Sequence, residues 1–233
     1  QAVQHLERQR PLHPLPPDVP PERAVLAANL ETAINAVWDA RVSIGDRVLV
    51  VGGGVVGLLT GWLCARLPGV AVQLVDPLPA REEIVTLLGM DWQPEVRLGS
   101  SGLPFDVAIH ASGHPEGLAS ALPALGDEGR LVELSWYGTR SVEVPLGAHF
   151  HPRRLQLIAS QVGQLPPERR PRWTHARRLD LALSLLREPL LDLLITDESP
   201  FAALPGVMAE LATPGAAPNT LCHRIRYPAA EES

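Results

Sequence analysis

The sequence predicts an α/β fold built on a doubly wound parallel sheet, and three observations lead to that prediction. Strand patterns and helix patterns alternate through most of the chain. The segment 47–51 is a continuous apolar run, which is typical of a parallel strand covered on both faces. A glycine-rich turn follows that strand directly. With 233 residues, 45% of them apolar, the chain is long enough to bury a sizeable core.

The elements can be assigned in chain order. Residues 1–21 contain repeated prolines and are expected to form an extended arm, followed by a helix over 21–40. The alternation then predicts strands at 47–51, 71–75, 105–110 and 130–134, separated by helices at 55–67, 80–88 and 115–125. Weaker patterns predict strands near Val96, at 142–144 and at 155–158, and a helix at 174–187. The tail is expected to hold a strand at 191–195, a helix at 201–211 and a strand at 220–225.

The turn after the first strand has the spacing G-x-G-x-x-G, at Gly52, Gly54 and Gly57. Gly52 permits the tight turn, Gly54 lacks the Cβ that would block a pyrophosphate, and Gly57 lets helix and strand pack closely. The next helix begins at Val55 and Val56, and its N-terminus offers free N–H groups and a positive dipole end to phosphates. This context predicts a Rossmann-type dinucleotide-binding domain. An α/β turn that binds no ligand is the alternative.

The residue that closes the second strand indicates which dinucleotide is bound. Asp76 can accept hydrogen bonds from the adenosine ribose hydroxyls of NAD and would repel the 2′-phosphate of NADP. A Pro-Leu-Pro segment follows Asp76, so no adjacent arginine is present to hold that phosphate. Arg81 is the nearest cation and could reach the adenine face. We therefore predict that NAD(H) is favoured over NADP(H).

Composition excludes several other classes of protein. A net charge of −6 argues against a nucleic-acid surface, and the arginine-rich stretch 169–178 is expected to be the solvated face of a helix. No apolar run reaches the roughly 18–20 residues of a membrane span, and no signal peptide is recognisable. Cys64, expected in the core, and Cys222 give neither a disulfide framework nor a zinc knuckle, so a cytoplasmic location is expected. The chain has no lysine, which excludes P-loop, Schiff-base and Tyr-x-x-x-Lys chemistry.

Several segments resemble the medium-chain dehydrogenases/reductases, the zinc-type alcohol dehydrogenase superfamily. They are 24–40, 45–69, 105–138, 149–163 and 193–201. The resemblance covers most of the chain from Pro14 to Tyr227, and the stretch around 133–163 is most similar to a bacterial subgroup of zinc-binding dehydrogenases. It implies three parts: a remnant of a GroES-like catalytic domain in 1–21, a Rossmann domain in 22–192, and a segment, 193–233, that packs towards the catalytic-domain side. The chain is thus expected to be a truncated form, either a fragment or a natural short form.

The same resemblance implies zinc, but the usual zinc ligands are absent. The Gly-His-Glu motif and the four-cysteine lobe are missing, and Ala28 stands where relatives carry a Cys or Glu ligand. Glu31, one turn further on, is the acid that could take its place. We therefore assign no metal ligand and no catalytic residue.

Further cofactor contacts are implied by position in the family. Thr32 would lie beside the nicotinamide, although a helix threonine bonded to its own backbone is an equal alternative. The turn after the fourth strand would meet the cofactor ribose, and the segment after the fifth would meet the carboxamide, or its aromatic pair would cover a domain interface. These residues are Ala111, Ser112, Gly113, Ser135, Trp136 and Tyr137. Ser160, Gln161 and Val162 would line the nicotinamide side, whereas His110, His149 and His151 are expected to be structural.

Three functions remain open on this evidence. The first is an NAD(H)-dependent oxidoreductase that transfers hydride to or from a small alcohol, aldehyde or ketone. The second is a non-catalytic, NAD(H)-binding module that dimerises through a sheet edge near 141–145, where relatives often pair as homodimers. The third is an S-adenosylmethionine methyltransferase, which shares the α/β layout but fits the glycine turn and the later segments poorly.

Overall fold

The computed structural model describes residues 13–98, 102–213 and 215–227. Six parallel strands form one sheet in the order β3-β2-β1-β4-β5-β6, which confirms the predicted fold class. The strands are β1 Arg47–Val51, β2 Ala71–Val75, β3 Asp91–Gln93, β4 Phe105–His110, β5 Leu125–Glu133 and β6 Gln156–Ala159. The strand order reverses between β1 and β4. Open α/β sheets bind ligands in the crevice at such a reversal, beyond the carboxyl ends of the strands.

Helices cover both faces of this sheet. They are α1 Ala27–Ala40, α2 Val55–Ala65, α3 Glu82–Leu87, α4 Pro115–Ala121 and α5 His175–Leu185. Short 3₁₀ helices precede α1 and α3, at Pro21–Leu26 and Pro79–Arg81, and another follows α4 at Leu122–Ala124. The first predicted helix is therefore divided into a 3₁₀ part and an α part.

The core has one cluster of apolar side chains on each face of the sheet. Along β1, Val48 and Val50 pack into one cluster, and Leu49 and Val51 pack into the other. Alternate side chains of a strand point to opposite faces, so the continuous apolar run of β1 is explained by burial on both sides. Cys64 lies in the first of these clusters, as expected.

The C-terminal part forms a small second sheet. A 3₁₀ helix at Pro189–Leu194 leads into β7 Ile195–Pro200, and a 3₁₀ turn at Phe201–Ala203 leads into α6 Leu204–Leu211. Strand β8, Cys222–Arg226, pairs parallel with β7. The strand predicted at 191–195 is therefore wrong. Leu191 and Leu194 are both buried at a spacing of three residues, which suits a helical turn better than a strand.

Two other predicted strands are corrected. The strand near Val96 lies earlier, at Asp91–Gln93, because Pro94 has no N–H with which to continue the ladder. Residues 142–144 are irregular. Val142 and Val144 pack against the sheet's second apolar cluster, and β6 forms the sheet edge on that side.

The arginine-rich stretch is only partly a solvated helix face. Helix α5 begins at His175, with the Thr174 side chain accepting a hydrogen bond from the Arg177 N–H, so 169–173 precede the helix. Arg170 and Arg177 are exposed, but Arg178 is only 4% exposed and lies against α1. The expectation is wrong for Arg178. No helix in the described ranges is long and apolar enough to cross a membrane.

Candidate dinucleotide-binding site

A cavity of about 510 Å³ opens at the carboxyl ends of β1, β2 and β4, where the strand order reverses. Its walls come from the glycine turn, the end of β2, the segment after β3, and the loop and helix that follow β4. It is lined by Val51, Gly52, Val75, Asp76, Pro77, Pro94, Glu95, Val96, Ser112, His114, Glu116, Gly117 and Ser120. The topology thus brings Gly52, Asp76 and Ser112, which come from three separate sequence segments, to one cleft.

Two glycines of the turn have no room for a side chain. Gly52 has φ +115°, and a Cβ there would lie 2.7 Å from the Ser112 backbone nitrogen. A Cβ on Gly57 would overlap the Gly52 carbonyl oxygen. The turn after β1 therefore touches the turn after β4 directly, and α2 starts close against β1.

Gly54 differs from its two neighbours in the motif, because a Cβ there would meet nothing within 4 Å. It precedes α2 as the N-cap, with an extended backbone (φ −77°, ψ 175°) and no side-chain cap. The first N–H groups of α2, which begins at Val55 and Val56, have no acceptor within the helix. The space beside Gly54 and the uncapped helix end together suit an anionic group.

Asp76 is held in position by backbone groups. Its Oδ2 accepts a 2.7 Å hydrogen bond from the Gly53 N–H, and its Oδ1 accepts a 2.9 Å bond from the Leu78 N–H. A Cβ on Gly53 would lie 2.9 Å from the Asp76 side chain, so the middle glycine of the run is needed for this contact. Each carboxylate oxygen keeps acceptor capacity for a ligand in the cavity.

Arg81 has a structural role in addition to the one expected from sequence. The residue is 7% exposed, and its guanidinium donates 3.0 Å hydrogen bonds to the carbonyl oxygens of Pro218 and Asn219. Burial lowers the pKa of Arg81, and the charge of Asp76 opposes that shift. Arg81 lines a second cavity of about 250 Å³ together with residues of the C-terminal segment. Arg81 therefore connects the C-terminal segment to the start of α3. Its contact with adenine stays a prediction.

The turn after β4 is joined to the end of β5. The Ala111 N–H donates to the Val51 carbonyl at 2.8 Å, which extends the sheet by one rung. Gly113 has φ +72°, and its N–H donates to the Ser135 hydroxyl at 3.0 Å. The structure thus joins Gly113, which the sequence analysis assigned to the cofactor ribose, to Ser135, which it assigned to the carboxamide.

A buried hydrogen-bonded contact between a histidine and a glutamate adjoins this junction. His110, fully buried, pairs in register with Glu133 on the adjacent strand, and its Nδ1 lies 2.8 Å and 3.0 Å from the two carboxylate oxygens. On its other side, His110 Nε2 lies 2.6 Å from the Ser112 hydroxyl. Burial would raise the pKa of Glu133, but hydrogen bonds and charge from His110, with the Ser135 N–H, hold it below its usual value. His110 therefore has hydrogen-bond partners on both ring nitrogens.

The segment after β5 contains one very exposed aromatic side chain. Trp136 is 91% exposed, whereas Tyr137 is half-buried and donates a 3.3 Å hydrogen bond to Glu133. Burial and the charge of Glu133 raise the pKa of Tyr137. The aromatic pair is divided, because Trp136 faces solvent and Tyr137 joins the buried network.

The residues expected at the nicotinamide end lie on α1 and after β6. The Thr32 hydroxyl donates to the Ala28 carbonyl at 3.1 Å. This is the bond to its own helix backbone that the sequence analysis gave as the alternative to a nicotinamide contact. The Ser160 hydroxyl donates to Asp39 at 2.6 Å, and burial raises the pKa of Asp39. Gln161 is exposed and Val162 is half-buried, and neither lines the 510 Å³ cavity.

The described residues do not fit a zinc ion. Ala28 has no donor atom, and Glu31 is paired with Arg178 at 3.1 Å. Burial raises the pKa of the Cys64 thiol to about 12, which disfavours the thiolate a metal needs. No group of three or more metal-binding side chains is found among residues 13–98, 102–213 and 215–227.

Sequence reasoning missed Gly53 and Glu133. The run of three glycines was a signal for Gly53, since the middle position is also beside the strand that ends in Asp76. For Glu133 the signal was that two neighbouring apolar strands each end in a titratable residue, His110 and Glu133. Parallel strands bring such ends to the same edge of the sheet.

Comparisons with known proteins agree with this geometry, although no protein-family model matches the sequence. D-guloside 3-dehydrogenase of Escherichia coli (strain K12) is 27% identical over 190 residues, which cover 75% of this chain and 54% of that protein. An uncharacterized zinc-type alcohol dehydrogenase-like protein, YphC, of the same organism is 29% identical over 141 residues, which cover 57% of this chain and 40% of that protein. The chain thus spans about half the length of the curated relatives it matches.

Solved structures show the same fold. The short chain alcohol dehydrogenase rspB from E. coli CFT073, complexed with NADH, has a TM-score of 0.72 and 21% identity, and the match covers 91% of this chain and 61% of that one. A putative zinc-binding dehydrogenase from Sinorhizobium meliloti 1021, bound to NADP, has a TM-score of 0.71 and 22% identity, with coverage of 86% and 59%. By sequence, the chain is therefore similar to dehydrogenases that include a zinc-type alcohol dehydrogenase-like protein, and it shares the fold of solved zinc-binding dehydrogenases.

Proposed function

We propose that this chain is the NAD(H)-binding part of an oxidoreductase that interconverts a small alcohol with an aldehyde or ketone. The observation that carries the proposal is the position of Asp76. Two backbone N–H groups hold its carboxylate at the wall of a cavity that it shares with Gly52 and Ser112. An acid at the end of the second strand is the group that accepts hydrogen bonds from the ribose diol of NAD.

Different residues around the cavity would bind different parts of the cofactor. The space beside Gly54 and the first N–H groups of α2 would receive the pyrophosphate, with Val55 and Val56 at the helix start. Asp76 and the turn Ala111–Gly113 would hold the adenosine ribose. Thr32, Ser135, Trp136 and Tyr137 remain the proposed contacts of the nicotinamide end. The nicotinamide, when bound, supplies the hydride donor or acceptor.

Three observations support this choice of reaction, substrate class and cofactor. The similar proteins are dehydrogenases, and two of the solved structures contain NADH or NADP. One curated relative acts, by its name, on a sugar glycoside, so polyhydroxylated alcohols belong in the substrate panel. The negative charge of Asp76, and the engagement of Arg81 with two carbonyl groups, favour NAD(H) over NADP(H).

A second candidate is a non-catalytic NAD(H)-binding module. It is favoured by the lack of a zinc ligand set in the described part of the chain. We propose for either function that two chains form a homodimer along the edge of the sheet, at β6 and the irregular segment 141–145. The division into residues 1–21, 22–192 and 193–233, and the cytoplasmic location, stay predictions; residues 1–12 lie outside the described ranges.

The test is a fluorescence titration of the chain with NADH and with NADPH, using the wild type and two glycine variants. Gly54→Ala places a methyl group in the space proposed for the pyrophosphate, in a backbone conformation that alanine tolerates. Gly206→Ala is the matched control, because it also meets nothing within 4 Å but lies on α6, away from the cavity.

We expect saturable NADH binding that is tighter than NADPH binding, weakened about tenfold or more by Gly54→Ala, as for loss of hydrogen bonds to a charged group. Gly206→Ala should bind NADH as the wild type does. If the wild type binds neither cofactor, the proposal fails. NADH binding without turnover of any alcohol, aldehyde or ketone in the panel favours the non-catalytic module.

A further inference from the structure

Four arginines form a positively charged surface at the start of α5 and in the loop before it. They are Arg169, Arg170, Arg172 and Arg177, and we call them the arginine patch. None of the ion pairs within the described residues includes one of these four. Other surface arginines do pair, as Arg97 with Glu95 at 2.6 Å and Arg187 with Asp18 at 2.5 Å. The patch therefore carries positive charge that no described carboxylate neutralises.

Two tryptophan rings hold two of these guanidinium groups. The ring centroids of Trp38 on α1 and Trp173 before α5 lie 4.7 Å apart. The guanidinium carbon of Arg169 lies 5.1 Å from the Trp38 centroid, and that of Arg177 lies 4.1 Å from the Trp173 centroid. Cation–π contact of this kind orders a guanidinium group but does not use its N–H donors. The patch is thus built on a pair of aromatic rings that also joins α1 to the start of α5.

The loop before α5 is anchored at several points. Leu165 is only 7% exposed, and its carbonyl accepts a 2.9 Å hydrogen bond from Nε of Arg170. The Arg169 carbonyl accepts from the N–H groups of Arg172 and Trp173, at 3.0 Å and 2.9 Å. Three prolines in this loop restrict the backbone further. The arginines are therefore presented from a defined conformation, so less conformational entropy is lost when they bind a ligand.

The charge of this stretch is opposite to that of the chain. Residues 165–178 contain five arginines and one glutamate, whereas the whole chain has a net charge of −6. The glutamate, Glu168, already pairs with Arg41. The fifth arginine, Arg178, is 4% exposed and takes no part in the patch. An anionic partner would relieve the mutual repulsion of the other four arginines.

Arg172 shows that contacts inside the protein do not explain the whole patch. Its carbonyl oxygen accepts a hydrogen bond from Arg177. Its side chain, however, is exposed and has no hydrogen-bond or ring partner in the described part of the chain. A guanidinium group that stabilises no internal contact keeps all of its N–H donors for a ligand.

We propose that the arginine patch binds a short carboxylate-rich segment of a partner protein. The planar guanidinium group donates two parallel hydrogen bonds to one carboxylate. The guanidinium groups of Arg169 and Arg177 are separated by two contacting rings, a distance that about five residues of extended peptide span at about 3.3 Å each. Acidic side chains at alternate positions of such a peptide share one face and can meet the patch together. None of the four arginines lines the 510 Å³ cavity, so binding here is separate from cofactor binding.

Two observations favour a peptide over a nucleic acid. The rings of Trp38 and Trp173 are half-buried, and each contacts the other ring and a guanidinium group. They therefore offer no free face on which a base could stack, and stacking supplies much of the affinity of single-strand binding. A net charge of −6 also opposes a long polyanion that extends beyond the patch, whereas a short acidic peptide ends within it.

The experiment is a fluorescence-anisotropy titration of the chain into a labelled peptide in which glutamate alternates with serine. The same peptide with glutamine in place of glutamate is the uncharged control, and a short DNA strand with the same number of negative charges is titrated in parallel. The wild type is compared with two double variants, Arg172→Gln/Arg177→Gln and Arg97→Gln/Arg140→Gln. Each removes two exposed arginines, one of which lies over an aromatic ring, but only the first pair belongs to the patch.

At low ionic strength we expect saturable binding of the glutamate peptide, weakened about tenfold in Arg172→Gln/Arg177→Gln because two ionic contacts at the surface are lost. Arg97→Gln/Arg140→Gln should bind the peptide within about twofold of the wild type, since distant surface charges are screened. Equal losses in the two double variants would show a general effect of net charge and overturn the inference. DNA binding at least as tight as that of the glutamate peptide would also overturn it, as would the lack of saturable peptide binding.

A second measurement locates the peptide on the chain. Proton–nitrogen NMR detects the indole N–H groups of the five tryptophans, and the variants Trp38→Phe and Trp173→Phe identify two of the signals. Those two signals should shift as the glutamate peptide is added, and the signals of Trp62, Trp92 and Trp136 should stay in place. If the Trp38 and Trp173 signals do not shift, the peptide binds elsewhere, and the inference is overturned even if the double variants differ as expected.

Discussion

The guanidinium of Arg178 on α5 donates a 2.6 Å hydrogen bond to the side-chain oxygen of Asn35 on α1, and both side chains are buried. Arg178 also pairs with Glu31 at 3.1 Å, and the amide nitrogen of Asn35 donates to Asp39 at 3.0 Å. Helix α5 is thereby fixed to the helix that precedes the first strand. Asp39 in turn accepts from Ser160, so this polar cluster reaches the carboxyl edge of the sheet.

Removing the buried cation should destabilise the fold. Arg178→Met keeps the volume of the side chain but leaves Asn35 and Glu31 without their partner. We expect the free energy of unfolding to fall by about 2–4 kcal/mol, because polar groups and a charge stay buried without compensation. Urea unfolding at pH 7 measures the change.

The adjacent arginine supplies the control for that variant. Arg177 is exposed, lies over the Trp173 ring at 4.1 Å and bonds to a turn carbonyl. Arg177→Met should therefore cost no more than about 1 kcal/mol. Equal losses for the two variants would contradict the role assigned to Arg178.

The close contact between α2 and the glycine turn predicts a stability effect at Gly57. Gly57→Ala places a methyl group on the Gly52 carbonyl oxygen, which is backbone and cannot move aside cheaply. We expect a loss of about 3 kcal/mol or more, at the upper end for overpacking. Thermal unfolding compared with Gly206→Ala, which should lose nothing, measures it. A melting temperature equal to that of the wild type would show that the turn can relax.

The pairing of Glu133 predicts how stability depends on pH. Its pKa is lower in the folded state than in the unfolded state, so the ionised carboxylate favours folding at neutral pH. That contribution is present above the unfolded pKa of about 4.3 and disappears as the pH falls through the lower folded value. The wild type should therefore lose more free energy of unfolding between pH 7 and pH 3 than Glu133→Gln. Denaturant titrations at several pH values test this, and parallel curves for the two proteins would refute it.

Burial predicts that the thiol of Cys64 is inert in the folded protein. Cys64 has no exposed surface, and burial raises its pKa to about 12, so little thiolate exists at pH 8. In a Cys222→Ala variant, a thiol-specific chromogenic reagent should label Cys64 only after denaturant is added. Labelling at the rate of a free thiol in the native protein would show that α2 opens readily.

Features that depend on short stretches of sequence could be predicted, and those that depend on pairing between distant stretches could not. The β1 run, the glycine turn and Asp76 follow one another within thirty residues or so of chain, and each has its own pattern. The His110–Glu133 pair arises from the register of two strands, and the Arg178–Asn35 bond arises from the crossing of two helices. None of these four residues lies in a sequence pattern that would identify its partner. An arginine-rich stretch in particular shows charge but not which arginine turns inward.

Local patterns also failed where tertiary packing changes their meaning. Leu191 and Leu194 were assigned to a strand on composition, yet both are buried on one side of a 3₁₀ helix. The alternating segment at 142–144 has the pattern of a strand but packs against the sheet through Val142 and Val144 without joining a ladder. Alternation predicts that one face is buried, and a neighbouring strand must also be present for a strand to form.

The contact between Gly52 and Ser112 limits which changes the two turns can accept. The two turns meet backbone to backbone, with no side chain between them to be shortened or lengthened in compensation. An insertion in either turn would push the two backbones apart, and no substitution in the other turn could compensate for it. A substitution at the outer wall of the cavity, at positions such as Val96 and Ser120, would alter what fits without separating the turns.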